Sequence, residues 1–475
     1  MAPWSGIASA RPLTGGPLDV LLVNAYRLRD DRKWGRIEGP YAPLGPLYLA
    51  AALREAGIAV DYFDNAFQSS TAPFLRAMRV RRPRIVGIYT TIISSNGARE
   101  LIALAKGAGT TVLVGGPDPT IQPELYLQAG ADAVGMGEGE RTIVESVQAL
   151  LQGRDLEQVR GLALWRSGKV ALTPPRERIA DQDSIPFPAR DLMPWDDYAT
   201  MTRSQHGHSL LSVLTSRGCP HQCAWCAKPV FGNRYKARSV ANVVTELLEV
   251  KESLRPDRIR IVDDVLTINR KRVLALCEGI ESAGLDIPFE CLSRVDQVDE
   301  EVLTALRNAG CTLIYFGVES GSQRVLDRMV KGISVGDVHR VMPLMKRLGL
   351  AAHWFLIYGY LGEELTDVQQ TIDLVRTHDP ESFSITLAYP LKGTPFYDEV
   401  APTMKAEHWT TSHANRMMFD RRYGRAFYRG SILATHLAAR SSRLARRHPG
   451  ALSTALDSSV RSSSAALLRL LAKEA

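Results

Sequence analysis

Cysteine is missing from the first 218 residues of this 475-residue chain, and histidine from the first 205. An amino-terminal segment without either can build no disulfide framework and can offer a metal no thiolate or imidazole. Long apolar runs are also missing. No stretch of eighteen apolar residues occurs, so no transmembrane segment is expected. The start M-A-P-W-S-G-I-A-S-A lacks a basic flank followed by an apolar core, which argues against export. A cysteine-poor front half fits a reducing, cytoplasmic setting. Acidic residues become scarce at the other end. Residues 421–475 hold eleven Lys and Arg against two Asp and Glu, about +9, so the formal charge of +7 belongs to the tail and the rest is near neutral. Such a tail could touch an anionic membrane surface peripherally, or nucleic acid. The blander reading, a solvated helical appendage, is favoured, and nucleic acid is not an expected partner.

The composition, 45% hydrophobic and 23% charged, is that of a globular protein, and the length calls for two or three domains. Residues 1–17 read as an N-terminal extension. From 18 to 151, apolar runs of strand length (18–24, 58–64, 84–90, 111–116, 131–137) alternate with helix-like stretches (47–57, 96–107, 140–151). That alternation predicts a doubly wound parallel sheet, which binds ligands at the carboxyl ends of its strands. Residues 152–205 read as a Pro-rich linker with a small hairpin turning at Ser167-Gly168. Between 206 and 398 six more strand candidates (209–215, 258–264, 289–295, 312–320, 351–359, 383–390) are separated by helices at 239–254, 299–309, 335–348 and 364–378. Six β/α units fit a partial barrel, with chemistry at the carboxyl ends. Residues 399–475 read as a helical, basic C-terminal region. Within it F-D-R-R-Y-G-R-A-F-Y-R-G (419–430) could cap the barrel mouth, contact substrate, or simply pack through cation–π contacts.

The most specific stretch is S-R-G-C-P-H-Q-C-A-W-C at 216–226, which places Cys219, Cys223 and Cys226 within eight positions. One short loop can then aim three sulfurs at a common point. An odd trio cannot pair fully as disulfides, and the other cysteines, Cys277, Cys291 and Cys311, lie scattered in later segments. Four thiolates would close a zinc or iron–sulfur site, whereas three leave one iron of a cluster open to a small molecule. A buried trio or an incomplete zinc knuckle is the alternative.

The pattern C-x3-C-x-aromatic-C, with Trp225 before the last cysteine, resembles the signature of the radical S-adenosylmethionine (SAM) superfamily. P-L-G-P-L-Y-L-A (43–50), G-G-P-D-P-T (115–120) and G-E-G-E (137–140) together resemble the cobalamin-binding domain fused to many of its members. The resemblance implies a 4Fe-4S cluster held by Cys219, Cys223 and Cys226, as catalytic and metal-binding residues, with SAM on the remaining iron. It implies SAM contacts from Asp263 and Asp264, from Ser293 and Arg294, and from Glu319 at successive strand ends. Cobalamin would lie against Thr90, Thr91, Gly115, Gly116, Pro117, Gly137, Glu138 and Gly139.

The sequence departs from the family pattern at several points. The common D-x-H-x-x-G motif is missing, so the first domain can supply no axial imidazole to cobalt. V-D-D stands where G-G-E is frequent, Leu361 replaces a Pro in G-Y-L-G-E, and Lys392 replaces another in P-L-K-G-T-P. The implied activity is methylation of an unactivated carbon of a small molecule (a secondary metabolite, lipid or tetrapyrrole) through a 5′-deoxyadenosyl radical and methylcobalamin. Electrons would come from a donor such as flavodoxin or ferredoxin. The alternatives are a cobalamin-dependent radical cyclase or rearrangement enzyme, a first domain kept only as scaffold, and a cobalamin-binding regulator.

Overall fold

The computed structural model describes residues 18–31, 41–404 and 419–473. The extension expected at 1–17, with the start motif, and part of the C-terminal region at 405–418 lie outside them. The chain divides into two compact units. Of the described residues, the first gathers those up to Gly218 with Lys228–Arg260, and the second gathers Cys219–Ala227 with 261–404 and 419–473.

The first unit opens on alternating elements: β1 (Val20–Asn24), α1 (Leu44–Glu55), β2 (Val60–Asp64), α2 (Ala72–Arg81), β3 (Ile85–Tyr89), α3 (Ser95–Gly107), β4 (Thr111–Gly115), the short helices α4 (Pro117–Ile121) and α5 (Pro123–Gln128), β5 (Ala133–Gly135) and α6 (Glu140–Leu151). The strands are apolar runs because helices cover both faces of the sheet, and all five residues of β1 are buried. Strands β6 (Leu162–Arg166) and β7 (Lys169–Leu172) form the hairpin expected in the linker. They complete a seven-stranded sheet of order β2-β1-β3-β4-β5-β6-β7, parallel up to β5 and antiparallel beyond it. The hairpin therefore extends the first sheet. Strand order reverses between β1 and β3, and a crevice for ligands opens outside the carboxyl ends at such a point.

The linker also holds a helix, α7 (Trp195–His206), which the Pro-rich reading did not anticipate. Pro194 sits at its N-cap, where a missing N–H costs nothing. Then come β8 (Leu210–Val213), the two-residue antiparallel pair β9 (Ser216–Arg217) and β10 (Lys236–Ala237), α8 (Val240–Ser253) and β11 (Arg258–Ile261).

The second unit continues with α9 (Arg270–Ser282), β12 (Phe289–Ser293), α10 (Glu300–Asn308), β13 (Cys311–Glu319), α11 (Gln323–Arg328), α12 (Val335–Leu348), β14 (Ala351–Tyr358), α13 (Leu365–His378), β15 (Ser382–Leu387) and α14 (Pro395–Val400). Strands β12 to β15 pair in parallel and in sequence order, as in a partial barrel. Helix α9 was not expected, although Asn269 caps it and Val273, Leu276, Cys277 and Ile280 form its buried stripe. Two long helices close the unit, α15 (Arg425–Arg447) and α16 (Ala451–Lys473). Phe427 and Tyr428 of the Arg–aromatic segment are buried against Tyr358, Val368 and Ile372, so these aromatics serve packing.

Candidate functional site

In the second unit the cysteine loop is irregular backbone pinned from both sides. Ala224 N donates to Met329 O at 2.9 Å, Phe396 N donates to Ala224 O at 3.0 Å, and Cys226 N donates to Cys223 O at 3.1 Å. The side chain of His221 meets that of Gln297 at 2.9 Å. Cys219 is buried, Cys223 half-buried and Cys226 exposed, and none is in a disulfide. Among the described residues no three His, Cys, Asp or Glu side chains are grouped to hold one metal ion. A cuboidal cluster takes each of three thiolates on a different iron.

Around this loop the structure collects several predicted SAM contacts. Glu319 ends β13 with φ +64°, a left-handed conformation costly for a residue with a side chain. Its carboxylate accepts from Lys331 Nζ at 2.8 Å, with both side chains buried. The Lys331 ammonium also lies 5.3 Å from the Trp225 ring centre, a cation–π contact. Arg294 is buried and largely committed: Nε and Nη2 hold Asp296 at 2.9 Å each, Nη1 donates to Lys331 O at 2.9 Å, and Nη2 donates to Gly332 O at 3.1 Å. One N–H is left for a ligand, so the bidentate grip on a carboxylate is not on offer. Ser293 Oγ meets Thr267 Oγ1 at 2.7 Å. Asp263 is buried and Asp264 exposed.

One member of this site, Lys331, was missed in the sequence. Lys331 lies in an ordinary-looking M-V-K-G-I run, and only the fold sets it across from Glu319. Glu363, the end of the G-Y-L-G-E loop after β14, is fully buried and accepts from Gly359 N at 2.6 Å. Its other oxygen has no hydrogen-bond partner among the described residues, and burial pushes its carboxyl up to about 8. The three later cysteines, scattered in sequence, meet in the core. Cys291 is raised by a hydrogen bond with Cys311 and by burial, and burial raises Cys277 to about 12.

In the first unit the predicted cobalamin residues line the carboxyl edges of β3, β4 and β5. Thr90 is fully buried, with Oγ1 2.9 Å from Ser94 Oγ, and its N–H donates to Gly115 O at 3.0 Å. Thr91 donates its N–H to Ser94 Oγ at 3.0 Å. Gly116 has φ +121°, and a Cβ there would lie 2.3 Å from Thr90 O, so only glycine fits. Pro117 opens α4, Gly137 N approaches Thr120 Oγ1 at 3.4 Å, and Gly139 caps α6. Glu138 is drawn inward: it accepts from Ile179 N at 2.9 Å and meets Arg217 Nη1 at 3.3 Å. Arg217 also holds Glu140 at 2.6 Å, and its guanidinium lies 5.1 and 4.9 Å from the Tyr48 and Phe231 ring centres. Glu138 is thus a tie within the unit. The sequence also gave no sign of Asp64, which receives Asn24 at 3.0 Å, Tyr62 at 2.9 Å and Tyr198 at 2.7 Å at the carboxyl ends of β1 and β2. Burial still raises its carboxyl.

A three-thiol loop beside strand ends, joined to a β2-β1-β3-β4-β5 sheet with glycine-opened edges, defines a class. Residues 213–375 match the Radical SAM superfamily and residues 35–147 match the B12 binding domain. The chain belongs to the radical SAM family whose members carry a B12-binding domain, and it is an enzyme of that family. A protein named as an uncharacterised methyltransferase, PH0819, from Pyrococcus horikoshii is 33% identical over 399 residues, 79% of this chain and 86% of that one. The anaerobic magnesium-protoporphyrin IX monomethyl ester cyclase of Rubrivivax gelatinosus is 26% identical over 380 residues, 77% of this chain and 67% of the cyclase. Among solved structures, the cobalamin-dependent S-adenosylmethionine radical enzyme OxsB with aqua-cobalamin bound shares the fold. Its TM-score is 0.75 at 18% identity, covering 95% of this chain and 72% of OxsB. The cofactors of the family are a 4Fe-4S cluster, SAM and cobalamin. No described helix is long and apolar enough to cross a membrane.

Proposed function

We propose that this enzyme transfers a methyl group to an unactivated carbon of a small molecule. The observation that carries the reading is the presence, in one chain, of a B12-binding domain and a pinned three-cysteine loop beside Glu319 and Lys331. When bound, the cluster and SAM supply a 5′-deoxyadenosyl radical and cobalamin supplies a methyl carrier, which together answer the lack of any nucleophile at such a carbon.

Cys219, Cys223 and Cys226 hold three corners of the cluster. Lys331 fixes Glu319 so that its second oxygen can accept from a ribose hydroxyl. Asp263 and Asp264 would accept from the SAM ammonium, and Ser293 with the remaining N–H of Arg294 would donate to its carboxylate. In the first unit Thr90, Thr91, Gly115, Gly116, Pro117, Gly137 and Gly139 bear the corrin, with Glu138 acting from behind through Arg217. No histidine of that unit's first 205 residues can ligate cobalt. A flavodoxin or ferredoxin delivers electrons, in the cytoplasm. The domains are taken as 18–151 for cobalamin and 206–398 for the radical SAM core, flanked by 152–205 and 399–475.

The cyclase relative favours a second reading, ring formation without methyl transfer. The reconstituted enzyme, SAM labelled in its methyl group and a small-molecule extract of the producing cells separate the two. Methylation yields a product heavier by one labelled CH₂, whereas cyclisation leaves the label in the methionine released as SAM is cleaved.

A further inference from the structure

We infer that the outward face of the α15–α16 helical pair rests on an anionic lipid surface. The inner face of α15 is committed to the second unit: Tyr358 OH meets Thr435 Oγ1 at 2.7 Å, and Ser442 Oγ donates to Arg376 O at 3.1 Å. Its opposite face carries Arg429, Leu433, Leu437, Arg440, Leu444 and Arg447, spaced four, four, three, four and three apart, so one stripe of the helix holds them all. The three leucines are 55%, 42% and 42% exposed. On α16, Leu452, Leu456, Leu467 and Leu470 likewise share a stripe and are 89%, 47%, 43% and 57% exposed. Seven of the thirteen exposed large apolar side chains among the described residues thus belong to these two helices. Single exposed leucines need no explanation, but two rows on adjoining helices do.

Charge selects the occupant. Other arginines here are spent on the protein, Arg443 and Arg446 on Asp379 at 2.9 and 3.0 Å, and Arg422 on Glu364 at 3.0 Å. Among the described residues Arg429, Arg440 and Arg447 have no acidic partner, and no Asp or Glu occurs between 421 and 456. A second copy of the chain packed symmetrically on this face would set arginine against arginine. Nucleic acid would press leucines against phosphates and find no aromatic ring on the stripe to stack on. Anionic headgroups satisfy the arginines while the leucines enter the acyl boundary, which is how interfacial amphipathic helices bind. Neither helix is apolar enough to cross.

The test is co-sedimentation of the cofactor-loaded full chain with phosphatidylcholine vesicles, alone or with phosphatidylglycerol. Binding is expected only to the mixed vesicles, and it should weaken as salt rises. Arg429→Gln/Arg440→Gln/Arg447→Gln should partition about a hundredfold more weakly, at roughly fivefold per arginine. Leu433→Gln/Leu437→Gln should also bind more weakly, with circular dichroism and the cluster absorbance of both variants unchanged. Absence of binding to mixed vesicles, equal binding to neutral ones, or self-association lost in the leucine variant would each overturn the inference. The salt series on the unaltered chain decides the matter even if a variant fails to fold.

Discussion

The Glu319–Lys331 pair is the residue-scale feature on which the second unit's site is built. Both side chains are buried, 2.8 Å apart, on a strand end whose backbone is already in a costly conformation. Lys331→Met would leave a carboxylate buried without its cation, a loss of about 3–5 kcal/mol. Urea unfolding should show it, and Lys331→Met/Glu319→Gln should recover most of the stability but not SAM affinity. If the single variant unfolds at the parent's midpoint, the pair does not hold the strand end. At this scale the sequence was legible where chemistry is local. Three cysteines within eight positions, or glycines after an apolar run, declare themselves. Lys331, Arg217 and Asp64 do not, because each acquires its role only from partners brought by the fold, 77 and 79 positions away for Arg217 and 134 for the Tyr198–Asp64 contact.

Among the elements, helices α12 and α13 meet through two histidines. His378 Nε2 lies 2.7 Å from His339 Nδ1, and burial first, then the neighbouring imidazole, lower His378 to about 4 from 6.5. The unfolded chain therefore binds a proton that the folded one refuses between those values. Stability present above pH 6.5 is lost as pH falls toward 4, by about 1–2 kcal/mol because water reaches the pair. His378→Asn should flatten the thermal midpoint against pH over that window, and an unchanged slope would exclude the pair as its source. Parallel strands covered on both faces read as apolar runs, so every strand of the parallel sheets was legible. Helix α7 was hidden behind prolines that in fact mark its start, and the β6–β7 hairpin looked like linker because its partner, β5, lies 27 to 29 positions earlier, as in the Gly135–Leu162 and Val134–Ala163 pairs.

For the whole molecule, the order of the domains and the basic end were plain in composition, since glycine-edged strands, a cysteine loop and an arginine-rich tail occupy separate stretches. What surrounds the cysteines was not, because it is assembled from the ends of β12, β13 and β14 and from the 329–332 turn. The central claim is that three thiolates of one loop hold a cluster that cleaves SAM. The direct measurement is 5′-deoxyadenosine formed by anaerobically reconstituted enzyme with SAM and a low-potential reductant, beside Cys219→Ala/Cys223→Ala/Cys226→Ala treated alike. The parent chain should release deoxyadenosine and the triple variant none, with its cluster absorbance gone. Deoxyadenosine from the triple variant, or none from a fully iron-loaded parent, would contradict the account.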